Sequence, residues 1–355
     1  MKIGILTFHW ATNYGAVLQC FALQSYIESL GNEVQVINYK PKQYDDNVYT
    51  FFRFRKFKNL SEYLIQKKKE SALSKFRLKY IHQTKRFYSN MELSSFVTQF
   101  DAIISGSDQV VNPSFLLSGE GSGVLSPTYF LGFPFGGLRI GYALSFGCVS
   151  YPNKAFNIAV NYIKGFNVLT VREKTGVDIV KSMGRDDVKV VPDPTILMPA
   201  KFYQDLADKS KKAYPSFIYS FFIRYIDDRK KIINNTLKGN NILWNNDDND
   251  YSMEGWLSNI KHAKFVVTDS FHCVVMCLKF HVPFAVITEK EGNVGMNDRL
   301  YTLLGKCDLI KCILHKSQIG NIKNAFAMDI KWDNVDSALL EYGVEGKSIL
   351  GKYLK

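Results

Sequence analysis

Three residues that could bind an anion stand where an apolar strand pattern changes into a helix pattern, in Thr268-Asp269-Ser270-Phe271-His272. The first N–H groups of a helix lack internal partners and carry the positive end of its dipole, so Ser270 and Phe271 open a natural phosphate or carboxylate site. His272, in the first turn, could donate to that anion or transfer a proton. The alternative is a plain N-cap, in which Asp269 or Ser270 bonds the next turn and His272 is only packed.

Two arginines suit the same anion, because a guanidinium forms forked bonds to carboxylate or phosphate. Arg172 directly follows an apolar strand pattern, and Arg299 opens a helix pattern in Asn297-Asp298-Arg299. Arg172 could equally form a structural pair with Glu173 or another carboxylate. Arg299 could be a solvated side chain at the start of its helix. The sequence leaves both alternatives open.

Further polar residues follow strand patterns in the first half of the chain. Asp108 lies in Gly106-Ser107-Asp108-Gln109, a turn in which a carboxylate could accept a hydroxyl proton as a general base. An Asx turn is the alternative for Asp108. Asn13, before Tyr14, is expected to cap the first helix. His9 could line the same rim or lie beneath it as a wedge. Ser145 and Asp193 also follow strands directly.

The elements that must position these residues alternate between strand and helix. The strand patterns are residues 2–8, 33–39, 100–105, 138–145, 168–171, 188–191, 217–222, 241–244, 265–268 and 283–287. The helix patterns are residues 14–30, 153–164, 253–263, 270–280, 297–304 and 334–353. This order predicts two Rossmann-like α/β domains with parallel sheets and ligands at the strand carboxyl ends and between the domains.

The length of 355 residues also favours two domains. We expect an N-terminal domain over residues 1–195, and a C-terminal domain over residues 196–355 that includes a last helix. A polar stretch near residues 200–214 is expected to separate them.

The net charge of +12 is concentrated in residues 51–90, where twelve Lys and Arg are opposed only by Glu62 and Glu70. The pattern predicts a basic helical insertion with two helices, at residues 60–69 and 72–80. Interleaved Phe and Tyr suit contact with anionic lipid or with a pyrophosphate-linked acceptor. A solvated, mobile flap is the alternative. Nucleic-acid binding is not expected, because no nucleic-acid motif accompanies the charge.

Several function classes are disfavoured by the sequence. There is no GxGxxG, Walker P-loop, HExxH or GxSxG motif. The six cysteines do not indicate a disulfide scaffold, and Cys273, Cys277, Cys307 and Cys312 are interpreted as buried thiols rather than zinc ligands. The N-terminal apolar run alternates like a strand and lacks a cleavage site, and no stretch reaches the ~20 apolar residues of a membrane span. We therefore expect a cytoplasmic protein.

The chain resembles the polysaccharide pyruvyl transferase family over about residues 1–304. The motifs that carry the resemblance are Thr7-Phe8-His9, Asn13-Tyr14-Gly15-Ala16-Val17-Leu18-Gln19, Gly106-Ser107-Asp108-Gln109, Val171-Arg172-Glu173, Asp193-Pro194-Thr195 and Thr268-Asp269-Ser270-Phe271-His272. Any one of these is weak, but together and in this order they are specific. Two positions depart from the family pattern: Val111 where Trp is usual, and Cys273 where Gly is frequent.

The resemblance implies a GT-B-like fold with the active site in the interdomain cleft. It implies phosphoenolpyruvate as the donor, and a sugar in a surface polysaccharide or its lipid-linked, possibly polyprenyl-pyrophosphate-linked, precursor as the acceptor. The product would be a cyclic pyruvate ketal, with phosphate released and with no metal or organic cofactor.

The resemblance, together with the residue chemistry, assigns roles to the candidate residues. The donor side is Arg172, Ser270, Phe271, His272 and Arg299. The acceptor side is His9, Asn13, Tyr14, Ser107, Asp108 and Gln109. His272 is the candidate acid and Asp108 the candidate base.

Two other functions remain open on the sequence. A GT-B glycosyltransferase that uses a nucleotide sugar would need an acidic pair in the second half, for which Glu289 and Glu291 are the only close candidates. A non-catalytic anion- or glycan-binding protein would bind phosphoenolpyruvate without consuming it. Contact with the inner face of the membrane through residues 51–90 would suit a lipid-linked acceptor.

Overall fold

The computed structural model describes residues 1–45, 60–117, 123–210, 215–224, 227–245, 249–292 and 295–355. Two compact units divide the chain, the first unit being Met1–Leu197 with Glu345–Lys355 and the second unit Met198–Val344. Residues 51–59 of the basic segment lie outside the described residues. No helix in the described ranges is long and apolar enough to cross a membrane.

The strands of the described chain form one parallel sheet in each unit. They are Lys2–Leu6 (β1), Glu33–Val36 (β2), Ala102–Gly106 (β3), Leu138–Leu144 (β4), Val168–Val171 (β5), Lys189–Val190 (β6), Ile218–Phe221 (β7), Ile242–Trp244 (β8), Phe265–Thr268 (β9), Phe284–Thr288 (β10) and Ile313–His315 (β11). The sheet order is β2-β1-β3-β4-β5-β6 in the first unit and β11-β10-β9-β7-β8 in the second. Every strand pair is parallel, which confirms the predicted class.

The α-helices fill the crossovers between these strands. In the described chain they are Tyr14–Ser29 (α1), Leu60–Tyr80 (α2), Asn90–Phe96 (α3), Pro113–Leu117 (α4), Asn153–Ile163 (α5), Lys174–Ser182 (α6), Pro194–Leu197 (α7), Ala200–Ala207 (α8), Asp227–Thr236 (α9), Met253–His262 (α10), Phe271–Phe280 (α11), Asp298–Lys306 (α12), Ile322–Phe326 (α13) and Trp332–Tyr353 (α14). Short 3₁₀ turns lie at Lys42–Tyr44, Val97–Gln99, Thr128–Phe130, Gly295–Asn297, Ile310–Cys312 and Lys316–Asn321.

The strand registers bring the functional turns to one edge of each sheet. In the first unit Leu6 pairs with Ser105, and Gly106 pairs with Tyr142. In the second unit Phe221 pairs with Thr268, so the chain leaves β7 and β9 side by side. Since parallel strands end at a common edge, the residues after them are neighbours although they lie far apart in the sequence.

Three predictions about the elements were wrong. Residues 60–80 form one continuous helix rather than two, because Leu73 and Phe76 are buried along its inner side. The stretch expected as a polar separator, residues 200–214, begins instead with α8, which buries Tyr203 and Leu206 and packs against α10 within the second unit. Residues 211–214 of that stretch lie outside the described residues.

The end of the last helix belongs to the first unit, whereas we expected it in the C-terminal domain. Glu345 pairs with Lys189, and the main-chain oxygen of Leu354 accepts a hydrogen bond from Asn32 Nδ2 at 2.8 Å. The side chains of Leu350 and Leu354 are buried. These contacts join the chain terminus to the N-terminal sheet unit.

Candidate active site

A buried polar network lies at the carboxyl edge of the first sheet. Arg172, 1% exposed, places Nη1 2.8 Å from Asp193 Oδ2 and Nη2 3.6 Å from Asp108 Oδ1. Its Nε lies 3.9 Å from Glu173 Oε2. Burial would lower the pKa of Arg172, but the surrounding carboxylates outweigh burial and raise it. The arginine therefore remains charged and holds three acidic side chains together.

Asp193 is the most fully bonded member of this network. Its Oδ2 accepts a hydrogen bond from Ser107 Oγ at 2.7 Å as well as the bond from Arg172. Its Oδ1 accepts bonds from the main-chain N and the hydroxyl of Thr195, at 3.0 and 2.7 Å. A fully buried carboxylate with four donors is a fixed structural element. Ser107, predicted to face the acceptor, is buried beside it.

Asp108 is placed differently from the other carboxylates. Its side chain is 17% exposed, and its backbone has φ 71°, the left-handed region that Asp tolerates better than most residues. Its main-chain oxygen accepts a hydrogen bond from Ser145 N at 3.1 Å, which fixes the turn. Strained backbone of this kind concentrates at functional sites. The turn thus presents one carboxylate to solvent above a buried cation.

An irregularity in β4 shapes the neighbouring turn. The pairing of β4 with β5 shifts between Gly141 and Leu144, and Thr170 Oγ1 bridges the shift by accepting from Ala143 N and donating to Gly141 O. Beyond it, Ser145 Oγ and Phe146 N both donate to Glu173 Oε1 at 2.9 Å. Glu173 is therefore satisfied by the turn after β4 as well as lying near Arg172.

Gly147 follows in the left-handed region with φ 62°, and a Cβ there would lie 2.3 Å from Gln109 Oε1. Only glycine lets Gln109 keep its bond from Asn112 Nδ2 at 2.7 Å. Val111, where the family usually has Trp, is fully buried in the core. The side chain at that position therefore lies inside the core and not on the surface.

The loop after β1 is held by the basic helix α2. Asn13 caps α1 as predicted, accepting from the main-chain N of Gly15 and Ala16 at 2.8 and 3.3 Å. Thr12 Oγ1 donates to Glu70 Oε2 at 2.6 Å, and Glu70 pairs with the buried Arg77. One side of residues 60–80 is therefore packed against the first unit.

Lys69 Nζ lies 4.4 Å from the centre of the Tyr14 ring. Burial lowers the pKa of Lys69 to about 8, and the neighbouring Glu70 opposes that shift. Tyr14 itself is buried beneath this contact, so its ring is a packing surface for the lysine.

His9 lies beneath the rim rather than on it. The side chain is fully buried, with Nδ1 3.1 Å from Thr7 O and with Asn38 and Gln83 as further polar neighbours. Burial, with a smaller contribution from the nearby Arg77 guanidinium, lowers the pKa of His9 to about 4. His9 is neutral at neutral pH, and the wedge alternative describes its position.

The helix entrance of the second unit gathers the other candidate residues. Ser270 caps α11, accepting from Cys273 N at 3.3 Å, while its own N–H donates to Thr268 Oγ1 at 3.0 Å. His272 follows in the first turn and is 6% exposed. Arg299 stacks on Phe271, with Cζ 5.5 Å from the ring centre. Arg299 is thus the one predicted donor-side residue that reaches this segment from another element, and its donor role stays a prediction.

Asp269 does not cap the helix. Its carboxylate accepts from the main-chain N of Ile223 at 2.7 Å and of Arg224 at 3.2 Å, and thereby fixes the turn after β7. Burial raises the pKa of Asp269, and these two backbone bonds counteract it.

Arg224, which the sequence analysis did not select, lies beside this entrance, with Nη2 3.6 Å from Met296 Sδ. It follows an apolar strand closely, as Arg172 does, so the same criterion would have selected it. Arg224 therefore lies in the turn next to the segment that carries His272, and Arg299 stacks on that segment.

The cysteines are buried thiols in both units, apart from the half-buried Cys148. Burial raises the pKa of Cys307 to about 11 and that of Cys312 to about 12. The described residues contain no group of three or more His, Cys, Asp or Glu side chains that could hold a metal ion. The thiols suit core packing.

Comparison with solved structures supports the fold. UDP-N-acetylglucosamine 2-epimerase from Rickettsia bellii matches with a TM-score of 0.53 at 9% identity, covering 99% of this chain and 95% of that one. The Methanocaldococcus jannaschii UDP-GlcNAc 2-epimerase, solved with UDP-GlcNAc and UDP, matches with a TM-score of 0.50 at 13% identity, covering 98% of each chain. The two parallel-sheet units therefore have the GT-B-like architecture.

The family follows from the sequence comparison. The model described as polysaccharide pyruvyl transferase matches residues 13–291, which is most of the chain. The chain belongs to this transferase family, and membership implies a sugar acceptor. No curated protein sequence is significantly similar to it.

Proposed function

We propose that this protein transfers a pyruvyl group from phosphoenolpyruvate to two hydroxyls of one sugar. The sugar would belong to a surface polysaccharide or its lipid-linked precursor, and the products would be a cyclic ketal and inorganic phosphate. The observation that carries the proposal is the N-terminal end of α11, where His272 lies in the first turn, Arg299 stacks on Phe271, and Arg224 lies in the neighbouring turn after β7. Phosphoenolpyruvate carries both a phosphate and a carboxylate, which are the anions such an entrance binds.

The proposed chemistry assigns one proton transfer to each candidate residue. His272 protonates the methylene carbon of the donor, which makes C2 electrophilic. Asp108 accepts the proton of the first sugar hydroxyl as its oxygen bonds to C2. The second hydroxyl then attacks C2, the bond to the phosphate oxygen breaks, and the second proton leaves with phosphate. Arg172 supports this step by holding Asp108, and its role as a donor ligand stays a prediction.

Glu289, one member of the acidic pair that a nucleotide-sugar glycosyltransferase would need, is engaged by other side chains. Glu289 pairs with Arg229, and its second oxygen lies 3.5 Å from Lys316 Nζ. Glu291 is 79% exposed, with His315 at 3.9 Å. A carboxylate already neutralised by two cations is a poor acceptor for the hydroxyls of a nucleotide sugar. This favours the pyruvyl transferase over that alternative.

The decisive experiment is a phosphate-release screen with phosphoenolpyruvate. The acceptors should end in galactose, glucose, mannose or an amino sugar, and should include lipid-linked forms. Phosphate release that depends on the acceptor, with a ketal in the product, supports the proposal. Nucleotide release from a nucleotide sugar would establish the glycosyltransferase instead. Binding of phosphoenolpyruvate without turnover on any acceptor would indicate a binding protein.

A histidine pair tests the proposed acid. His272→Ala should lower turnover by roughly 10²–10⁴-fold if His272 donates the proton. His262→Ala is the matched control, because His262 ends α10 in the same unit and bonds Ser258 within that helix. Near wild-type turnover in the His272 variant would exclude it as the acid.

The location of the protein is proposed on the same basis. A lipid-linked acceptor would be met at the inner face of the membrane, by a cytoplasmic protein with a peripheral contact in the segment 51–90. The structure describes residues 60–90 of that segment. The expectation that no metal or organic cofactor takes part also stays a prediction.

A further inference from the structure

The exposed side of α2 combines lysines with leucines. We define the outer face of α2 as seven exposed residues that share one side by helical spacing: Leu60, Leu64, Lys67, Lys68, Lys75, Leu78 and Lys79. The three leucines are 60%, 50% and 80% exposed. The helix's two acids, Glu62 and Glu70, project from other sides by the same spacing. This face is therefore both cationic and apolar.

The opposite side of α2 fixes its orientation. Leu73 and Phe76 are buried, and Phe76 packs edge-on against Phe21 of α1 with ring centres 5.5 Å apart. Arg77 is 6% exposed and pairs with Glu70. A helix anchored in this way cannot rotate to bury its leucines, so the outer face is a permanent surface of the first unit.

The same helix also holds the loop that leads into α1. Glu70 accepts from Thr12, and Lys69 lies over Tyr14, as described above. The outer face and this loop are thus attached to opposite sides of one rigid element. A surface that docks on the outer face therefore lies across α2 from the loop.

An ordinary solvated helix face needs no leucines, and an apolar protein interface is depleted in lysine at its centre. Lysines that reach an anionic surface while leucines enter its boundary are the pattern of a helix lying on a membrane. The lysine stems can lie along the leucines while their charged ends meet phosphate groups. Charge complementarity thus identifies one occupant.

We infer that the outer face of α2 docks on an anionic phospholipid bilayer, while the other side of the same helix holds the loop at Thr12. The inference deepens the proposed function by naming the surface at which a lipid-linked acceptor would be met, and it rests on that function only for the acceptor. Docking itself requires neither donor nor acceptor.

The test is co-sedimentation with vesicles, without donor or acceptor. Wild-type protein should pellet with mixed phosphatidylglycerol and phosphatidylcholine vesicles, and much less with phosphatidylcholine alone. The triple variant Lys67→Gln, Lys68→Gln, Lys75→Gln should bind on the order of 100-fold more weakly, since each lysine near such a surface contributes roughly fivefold. The triple variant Lys154→Gln, Lys164→Gln, Lys181→Gln removes three exposed lysines elsewhere in the first unit and should bind like the wild type.

A second variant separates insertion from simple charge attraction. Leu64→Ser with Leu78→Ser keeps every charge and removes two exposed side chains, so it should fold normally and still bind several-fold more weakly. Equal loss in both lysine variants, no preference of the wild type for anionic vesicles, or no effect of the leucine changes would each overturn the inference.

Activity distinguishes a failure of docking from a failure of the proposed function. The α2 lysine variant should keep wild-type turnover on a water-soluble acceptor and lose turnover on a vesicle-embedded one. Vesicle binding with no pyruvyl transfer on any acceptor would leave the docking intact and overturn the proposed function.

Discussion

At the scale of single residues, the carboxylates around Arg172 divide into two kinds. Asp193 and Glu173 are buried and receive donors from neighbouring turns, whereas Asp108 is partly exposed and held only at 3.6 Å. A general base must reach its substrate, so exposure favours Asp108 for chemistry and assigns Asp193 to structure.

Substitution by the isosteric amide should separate these roles. Asp108→Asn keeps a residue that tolerates the left-handed backbone, so we expect little change in stability and a loss of roughly 10²–10⁴-fold in turnover. Asp193→Asn removes a buried charge beside Arg172 and should destabilise the fold by about 3–5 kcal/mol. Thermal unfolding and phosphate release on both variants test this. A stable, active Asp108→Asn protein would exclude the base.

His9 should make the stability of the protein depend on pH. Burial lowers the pKa of His9 to about 4 from 6.5. Between these values the unfolded chain binds a proton that the folded chain does not, so the stabilisation present above pH 6.5 is lost as the pH falls towards 4. The loss is about 3 kcal/mol.

His9→Gln should remove that part of the pH dependence in urea unfolding measured at several pH values across this range. His82→Gln is the control, since the His82 side chain is 64% exposed. Parallel curves for wild type and His9→Gln would contradict the prediction.

The residue types at the strand ends could be predicted from sequence, because an apolar run followed by a polar residue marks the edge of a parallel sheet. Their mutual bonding could not. Arg172 follows β5 and Asp193 follows β6, and the pairing of these two strands brings the side chains within hydrogen-bond distance. The sequence does not show that pairing. The burial of His9 could not be predicted for the same reason, since Arg77, one of its neighbours, lies on α2 far along the chain.

At the scale of elements, periodicity predicted most strands and helices to within a few residues. The break expected inside α2 was wrong because Lys67, Lys68 and Lys69 interrupt the apolar pattern without interrupting the helix. Lys69 and Glu70 are instead anchored by Tyr14 and Thr12. A local pattern cannot show that a polar residue has a partner far away in the sequence, so it underestimates the length of such helices.

The entrance of α11 can be tested as an element by adding a fixed negative charge. Ser270→Asp keeps an N-cap that suits the helix dipole, but Ser270 is buried beside Asp269, so some stability should be lost and thermal unfolding should first show that the variant is folded. The carboxylate would repel an incoming phosphate, and affinity for phosphoenolpyruvate should fall at least tenfold in calorimetric titration. Ser89→Asp, at the cap of α3, is the control and should bind the donor normally. Unchanged affinity in Ser270→Asp would mean that the serine is only a cap.

At the scale of the whole molecule, the sequence predicted two parallel α/β units but could not show in which unit the last residues pack. The last helix reads as one amphipathic element, and its residues up to Val344 belong to the second unit. Residues from Glu345 onward return to the first unit through Lys189, Asn32 and the hydroxyl of Tyr142 beside Gly346. These partners lie more than a hundred residues away, beyond the reach of local patterns.

Two leucines of α14 test this division of the chain. Leu350 is fully buried in the first unit, and Leu340, on the same helix, is 69% exposed. Leu350→Ala should cost about 2–5 kcal/mol, whereas Leu340→Ala should stay within about 0.5 kcal/mol of the wild type. Hydrogen exchange measured peptide by peptide locates the effect, and protection should fall in β1, α1 and β6 while the second-unit strands keep theirs. Equal loss of protection in the β9 and β10 peptides would show that the chain terminus stabilises both units, contrary to the division at Glu345.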